Sequence, residues 1–292
     1  MPNGIIIIDK PTDWTSQDVC AKLRGTFREK RIGHGGTLDP MATGVLPVFV
    51  GRATRAVEFS TEGEKEYLAG LHLGTVTDTQ DTSGRILREA SVSVTADELE
   101  QALAAFRGEI EQVPPMYSAI KIGGKKLYEL ARKGREVERP ARHITVFFLH
   151  IEGQTSPADF LLRVRCSKGT YVRTLCHDIG AALGCGGCMS SLRRTMAAGF
   201  TLEDAVPLSD VLSSEEPSRL LRPVESCFST LPAFTLADIF DEKRLRNGAP
   251  VLLSGKETPP GPYRVYSAGG EFLALGRTEQ DALITVKSFF EV

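Results

Sequence analysis

Between Gly33 and Gly44 the chain reads Gly-His-Gly-Gly-Thr-Leu-Asp-Pro-Met-Ala-Thr-Gly, and the apolar run Val45 to Val50 follows at once. Four glycines in twelve residues make this a loop whose backbone can approach a ligand closely. Asp39 stands before Pro40, which holds it extended and out of a helix. A carboxylate on such a stiff step, with His34 five residues earlier, is a candidate nucleophile; an Asx-type turn, in which Asp39 bonds only to backbone, is the competing reading. The glycine spacing matches neither G-x-x-x-x-G-K-[ST] nor G-x-G-x-x-G, which disfavours nucleotide phosphate binding.

Strand-like and helix-like segments alternate around this loop. Gly4 to Ile8 reads as a buried strand. Ser16 is placed to cap a helix with Val19, Leu23 and Phe27 on its apolar face. Lys65 to Leu73 alternates as a half-buried strand. Thr95 and Glu98 form a capping box ahead of Leu99, Leu103 and Phe106. Lys125 to Lys133 reads as a short basic helix stopped by Gly134, His143 to Ile151 and Phe160 to Cys166 as two strands, and Thr170 to Leu183 as a helix closed by Gly184. An acidic helical connector, Ser209 to Leu221, leads to short strands at Tyr263 to Tyr266, Phe272 to Leu275 and Leu283 to Phe289. These suggest a small β-rich second domain. No apolar run approaches the ~20 residues that a membrane helix needs, and Ile5 to Ile8 is too short and wrongly flanked for a signal peptide, so a cytoplasmic protein is expected.

The formal charge is near zero, with 35 basic and 37 acidic residues, yet the charges are segregated. Five basic residues and one acid lie between Lys22 and Arg31, and eight basic residues and three acids between Lys121 and Arg142. Such stretches suit an acidic partner such as RNA; a merely solvated surface is the plainer alternative. Six cysteines include one C-x-x-C, Cys185 to Cys188. One pair is half a zinc ligand set, and Cys176 fits the apolar stripe of its helix, so no metal is expected.

Gly33-His34-Gly-Gly-Thr-Leu-Asp39-Pro40-Met-Ala-Thr-Gly44-Val-Leu46 closely resembles the catalytic motif of the TruB family of bacterial tRNA pseudouridine-55 synthases. Asp9-Lys10-Pro11 with Thr15-Ser16, Lys65-Glu-Tyr67, Thr77-Asp78-Thr79-Gln-Asp81-Thr-Ser-Gly84, Pro114-Pro-Met-Tyr117-Ser118-Ala119-Ile-Lys121, Cys166-Ser-Lys168-Gly-Thr170-Tyr171-Val-Arg173 and Leu192-Arg193-Arg194-Thr195 follow the same family in order. Asp13 departs from it, standing where the family usually has glycine.

The resemblance implies an α+β fold: a mixed-sheet pseudouridine synthase catalytic domain over residues 1–232 and a small β-barrel-like PUA domain over residues 233–292. It implies isomerisation of uridine in the T loop of tRNA by base flipping, without metal or cofactor; the lack of a heptad or obvious apolar patch makes a monomer the default, and no membrane partner is expected. It makes Asp39 the nucleophile, Tyr67 the aromatic stacked on the target base and Arg173 the partner of the carboxylate. His34, Tyr171 and Leu192 would line the RNA or base site. Attack at C1′, attack at C6 and a glycal route all remain open to Asp39. A non-catalytic RNA binder on the same scaffold would not need the Asp39, Tyr67 and Arg173 set, and a metal-dependent hydrolase using the cysteines is the weakest rival.

Overall fold

The structure is a computed structural model that describes residues 1–253, 259–279 and 281–290. The last two residues assigned to the second domain lie outside the described residues. In chain order the elements are β1 (Gly4–Lys10), α1 (Ser16–Phe27), β2 (Ile32–His34), β3 (Thr43–Val50), α2 (Val57–Glu62), β4 (Lys65–Leu73), β5 (Thr75–Thr77), β6 (Ile86–Glu89), α3 (Ala96–Leu103) and β7 (Gly108–Gln112). Then come β8 (Lys121–Ile122), β9 (Lys125–Lys126), α4 (Leu127–Ala131), β10 (Arg142–Ser156), β11 (Asp159–Cys166), α5 (Val172–Ala182), β12 (Gly187–Ala197), β13 (Phe200–Thr201), β14 (Val206–Pro207) and α6 (Leu208–Ser213). The last group is β15 (Ala233–Thr235), α7 (Ile239–Arg246), β16 (Val251–Leu252), β17 (Gly261–Tyr266), β18 (Phe272–Glu279) and β19 (Ala282–Ser288).

A ten-stranded mixed sheet runs β14-β1-β3-β12-β4-β11-β10-β7, with β2 beside β3 and β13 beside β12. The β1–β14 and β3–β12 pairs are parallel and the others antiparallel. One face carries α1, α3 and α5. Val19, Leu23 and Phe27 of α1 and Leu175 and Ile179 of α5 pack there on Ile6, Ile8, Leu46, Ala69 and Leu71. Cys176 lies in this core, as its place on the helix stripe suggests.

Part of the other face is covered by a five-stranded sheet, β15-β17-β18-β19-β16. Phe272, Leu275 and Phe289 from that sheet join Phe228 against Ile5, Ile7, Val45 and Phe49 in one apolar cluster. The β-rich C-terminal segment therefore shares a core with the large sheet. A separate cluster around Leu236, Val265 and Leu273 fills its own interior.

Three local expectations change. Thr15, not Ser16, caps α1: its hydroxyl accepts from the Asp18 N–H while Asp18 bonds back to the Thr15 N–H. Ser16 is buried, and its hydroxyl instead ties α1 to the backbone of Leu38. The connector after Pro207 is broken, because α6 stops at Ser213 and only a short turn at Pro217–Leu220 follows. The basic helix shrinks to Leu127–Ala131, with turns carrying the chain to Gly134 at φ 66°. Asp13 adopts φ 64°, a left-handed conformation that asparagine and aspartate tolerate best after glycine.

Candidate active site

Asp39 sits in the loop between β2 and β3, which is held from three sides. The Ser16 hydroxyl bonds to both the N–H and the carbonyl of Leu38. Lys10 is fully buried, and its ammonium donates to the carbonyls of Pro11, Trp14 and Pro40 at 2.6–3.2 Å. The Asp13 N–H donates to the Pro40 carbonyl at 2.9 Å. At the loop's end, Gly44 takes φ 99° and lies so near β12 that a β-carbon would stand 2.2 Å from the Arg194 carbonyl oxygen, so no other residue fits.

Arg173 comes from the first turn of α5. Its Nε lies 3.1 Å from Asp39 Oδ2, and its Nη1 lies 3.3 Å from Asp81 Oδ2. Nη2 donates to the Tyr117 carbonyl at 2.9 Å. The guanidinium is 9% exposed, so this is no surface ion pair. Asp81 belongs to the acidic loop, which is a tight turn: Thr79 Oγ1 and the Ser83 N–H donate to Asp81 Oδ1. Backbone bonds between Gln80, Thr82 and Met189 fasten that turn to β12. Asp39 remains 37% exposed. Burial of its surroundings pushes its pKa up, Arg173 opposes this, Asp81 adds to the rise and Lys10 opposes it.

Tyr67 and Arg194 are direct cross-strand partners on β4 and β12. Arg194 is 1% exposed, and its Nε donates to the Val45 carbonyl at 2.7 Å and its Nη2 to the Gly36 carbonyl at 3.2 Å. Its charge also acts on the Tyr67 hydroxyl. Burial raises the Tyr67 pKa, with Arg194 pulling the other way, so the phenol is protonated at neutral pH. Leu192, two residues before Arg194, pairs with Ala69 and points to the same face. His34 ends β2, with its Nε2 3.2 Å from the Gln17 amide nitrogen. Burial and the nearby Arg194 lower its pKa, which favours the neutral ring. The backbone of Tyr171 immediately precedes α5, and its phenol pKa is raised by burial.

The structure thus brings Asp39 and Arg173 into contact and sets Tyr67, Tyr171, His34 and Leu192 around the same face of the sheet. The residue list from the sequence lacked Arg194, Lys10 and Asp81 as parts of the site. Lys10 carried a signal in the Asp-Lys-Pro step and Asp81 in the acidic loop. Nothing in the sequence marked Arg194 as buried.

The helix-backed mixed sheet, the arginine-paired aspartate and the second, smaller sheet agree with the pseudouridine synthase fold that the motif resemblance implies. Residues 24–172 match the model of the TruB family pseudouridylate synthase N-terminal domain, and residues 173–229 match that of the tRNA pseudouridylate synthase B C-terminal domain. A protein of Clostridium kluyveri named tRNA pseudouridine synthase B is 40% identical over 290 residues, covering 98% of this chain and 99% of that one. One of Alkaliphilus oremlandii with the same name is 47% identical over 223 residues, 76% of this chain and 74% of that one. A solved H/ACA ribonucleoprotein bound to a substrate RNA containing 2′-deoxyuridine superposes with a TM-score of 0.75 at 27% identity, covering 99% of this chain and 85% of that one. The chain belongs to the TruB family of pseudouridylate synthases.

Proposed function

We propose that the protein converts uridine to pseudouridine at position 55 in the T loop of tRNA, with Asp39 as nucleophile. The observation that carries this reading is the 3.1 Å contact between Arg173 and the partly exposed Asp39 carboxylate. The guanidinium favours the charged form of a carboxylate whose pKa burial raises. The reaction breaks the N1–C1′ bond, turns the base and joins C5 to C1′, while a proton leaves C5 and one is gained at N1. Its balance needs no oxidant, reductant, metal or group donor.

A stacked uridine hides this bond, so the base must leave the helix stack. Tyr67 supplies the ring for it, at about 1–3 kcal/mol per stacked base. The place of Tyr67 directly across from the buried Arg194 supports that role. His34, Tyr171 and Leu192 line the pocket. The exposed basic residues of α1 and of the 121–142 segment hold phosphates. Residues 1–232 act as the catalytic domain and 233–292 as an RNA-binding PUA domain, in a cytoplasmic monomer. Among the described residues no helix is long and apolar enough to cross a membrane.

The test is carbodiimide labelling of unmodified tRNA transcripts after incubation with the enzyme. A single labelled uridine in the T loop is expected with the wild type, and none with Asp39→Asn. Labelling elsewhere alone, or none with the wild type, refutes the reading.

A further inference from the structure

Gln112 ends β7, the last strand at one edge of the large sheet, yet its side chain is only 3% exposed. Both ends of the carboxamide are engaged by one residue. The Tyr171 N–H donates to Oε1 at 2.8 Å, and Nε2 donates to the Tyr171 carbonyl at 3.0 Å. Only one orientation of the amide satisfies both bonds, so the donor and acceptor ends are fixed.

Tyr171 is the residue that starts α5, and no side chain caps this helix. Its carbonyl also accepts the first helical bond, from the Leu175 N–H at 3.0 Å. Gln112 thus holds the residue that precedes the helix by both backbone groups, from a strand 59 residues away in sequence. Arg173 lies two residues on, in the first turn, where a shift of the helix start moves the guanidinium directly. The chain leaving Gln112 closes the other side of the same group: five residues later the Tyr117 carbonyl accepts from Arg173 Nη2.

We propose that Gln112 is a positioning residue for the isomerisation: its carboxamide fixes the first turn of α5 and so the placing of the Arg173 guanidinium against Asp39. The proposal rests on the reading of Asp39 and Arg173 given above. It says that the bond to the Tyr171 carbonyl, which needs a donor, matters to turnover rather than to binding of RNA.

Gln112→Glu keeps the shape and the acceptor but loses the donor when ionised, and regains one when protonated. Turnover and affinity are measured on an in vitro transcribed tRNA across pH, far below the unfolding temperature. At neutral pH the turnover of Gln112→Glu is expected to fall about 10–100-fold, the scale of an ångström-sized misplacement, with affinity within about twofold of wild type. As pH falls, the ratio of variant to wild-type turnover climbs toward one, because burial raises the pKa of the new carboxyl into the accessible range. Gln112→Met loses turnover with a ratio that is flat in pH, and it carries the test should the glutamate variant not fold. Leu103→Ala, at the buried end of α3, serves as a destabilised control with normal turnover.

Turnover of folded Gln112→Glu and Gln112→Met within twofold of wild type overturns the proposal, and so does a Gln112→Glu ratio that does not change with pH. A loss matched by Leu103→Ala at equal unfolding temperature also overturns it. Asp39→Asn runs in the same assay: activity surviving there refutes the underlying reading of the site, whatever the Gln112 variants do.

Discussion

Replacing Arg194 by methionine sets two buried effects against each other. The arginine carries its charge into the middle of the sheet with two carbonyls as hydrogen-bond partners and the Tyr67 strand position across from it. Burial pushes its pKa down, so keeping it charged costs stability, and an apolar side chain of similar length removes that cost. The same change leaves the Val45 and Gly36 carbonyls without their donor, at about 1–3 kcal/mol each. Gly36 is in the Asp39 loop and Val45 begins the strand after it, so the loop loses its clamp as well. The unpaired carbonyls should win, for a net loss of about 2–4 kcal/mol. In a chain of this size that lowers the unfolding temperature by about 3–7 °C. Urea and thermal unfolding of Arg194→Met beside the wild type measure it. Arg194→Lys should fall between, since one ammonium cannot span both carbonyls as the guanidinium does. An Arg194→Met protein as stable as the wild type, or more stable, would show that the buried charge outweighs its hydrogen bonds and refute this reasoning.

Asp39→Asn should bind tRNA normally and lose turnover beyond the ~10²–10⁴-fold of an auxiliary proton-transfer group; single-turnover assays decide, and a merely tenfold loss moves the nucleophile elsewhere. Because the Asp39 pKa is raised, turnover should fall on the acid side through a pKa above the usual 3.8, which a pH–rate profile reads directly. At alkaline pH, Cys20, Cys166, Cys176, Cys188 and Cys227 are held up to about 11–12 from an ordinary 9.0, so the unfolded chain loses those protons first and stability falls as pH rises from 9. Lys10 and Lys65, lowered to about 8, act in the opposite sense between about pH 8 and 10.5 but are fewer, so urea midpoints should decline from pH 9 to 11. Removing residues 233–292 should do more than weaken RNA binding: it strips Phe272, Leu275 and Phe289 from Ile5, Ile7, Val45 and Phe49, so unfolding temperature and turnover should both fall. A truncated protein with wild-type stability would refute the shared core.

The sequence by itself carried what is local or periodic. Alternation placed β4, β10, β11 and β17 to β19, and the 3.6-residue stripes placed α1 and α5, because these signals need only near neighbours. The motif residues Asp39 and Arg173 were legible as a set, though 134 positions apart, because each sits in a recognisable local pattern. The tertiary structure alone decided the rest. It made β12, which carries Arg193 and Arg194, a central strand; the cost of burying Arg194 is offset by carbonyls that distant segments bring to it. It turned the acidic loop into the second carboxylate partner of Arg173, and an edge-strand glutamine into the fastening of a helix start. It also put the C-terminal aromatic residues into the same core as β1 and β3. Burial and hydrogen-bond satisfaction are properties of the whole packed chain, and no window of residues contains the partner that decides them.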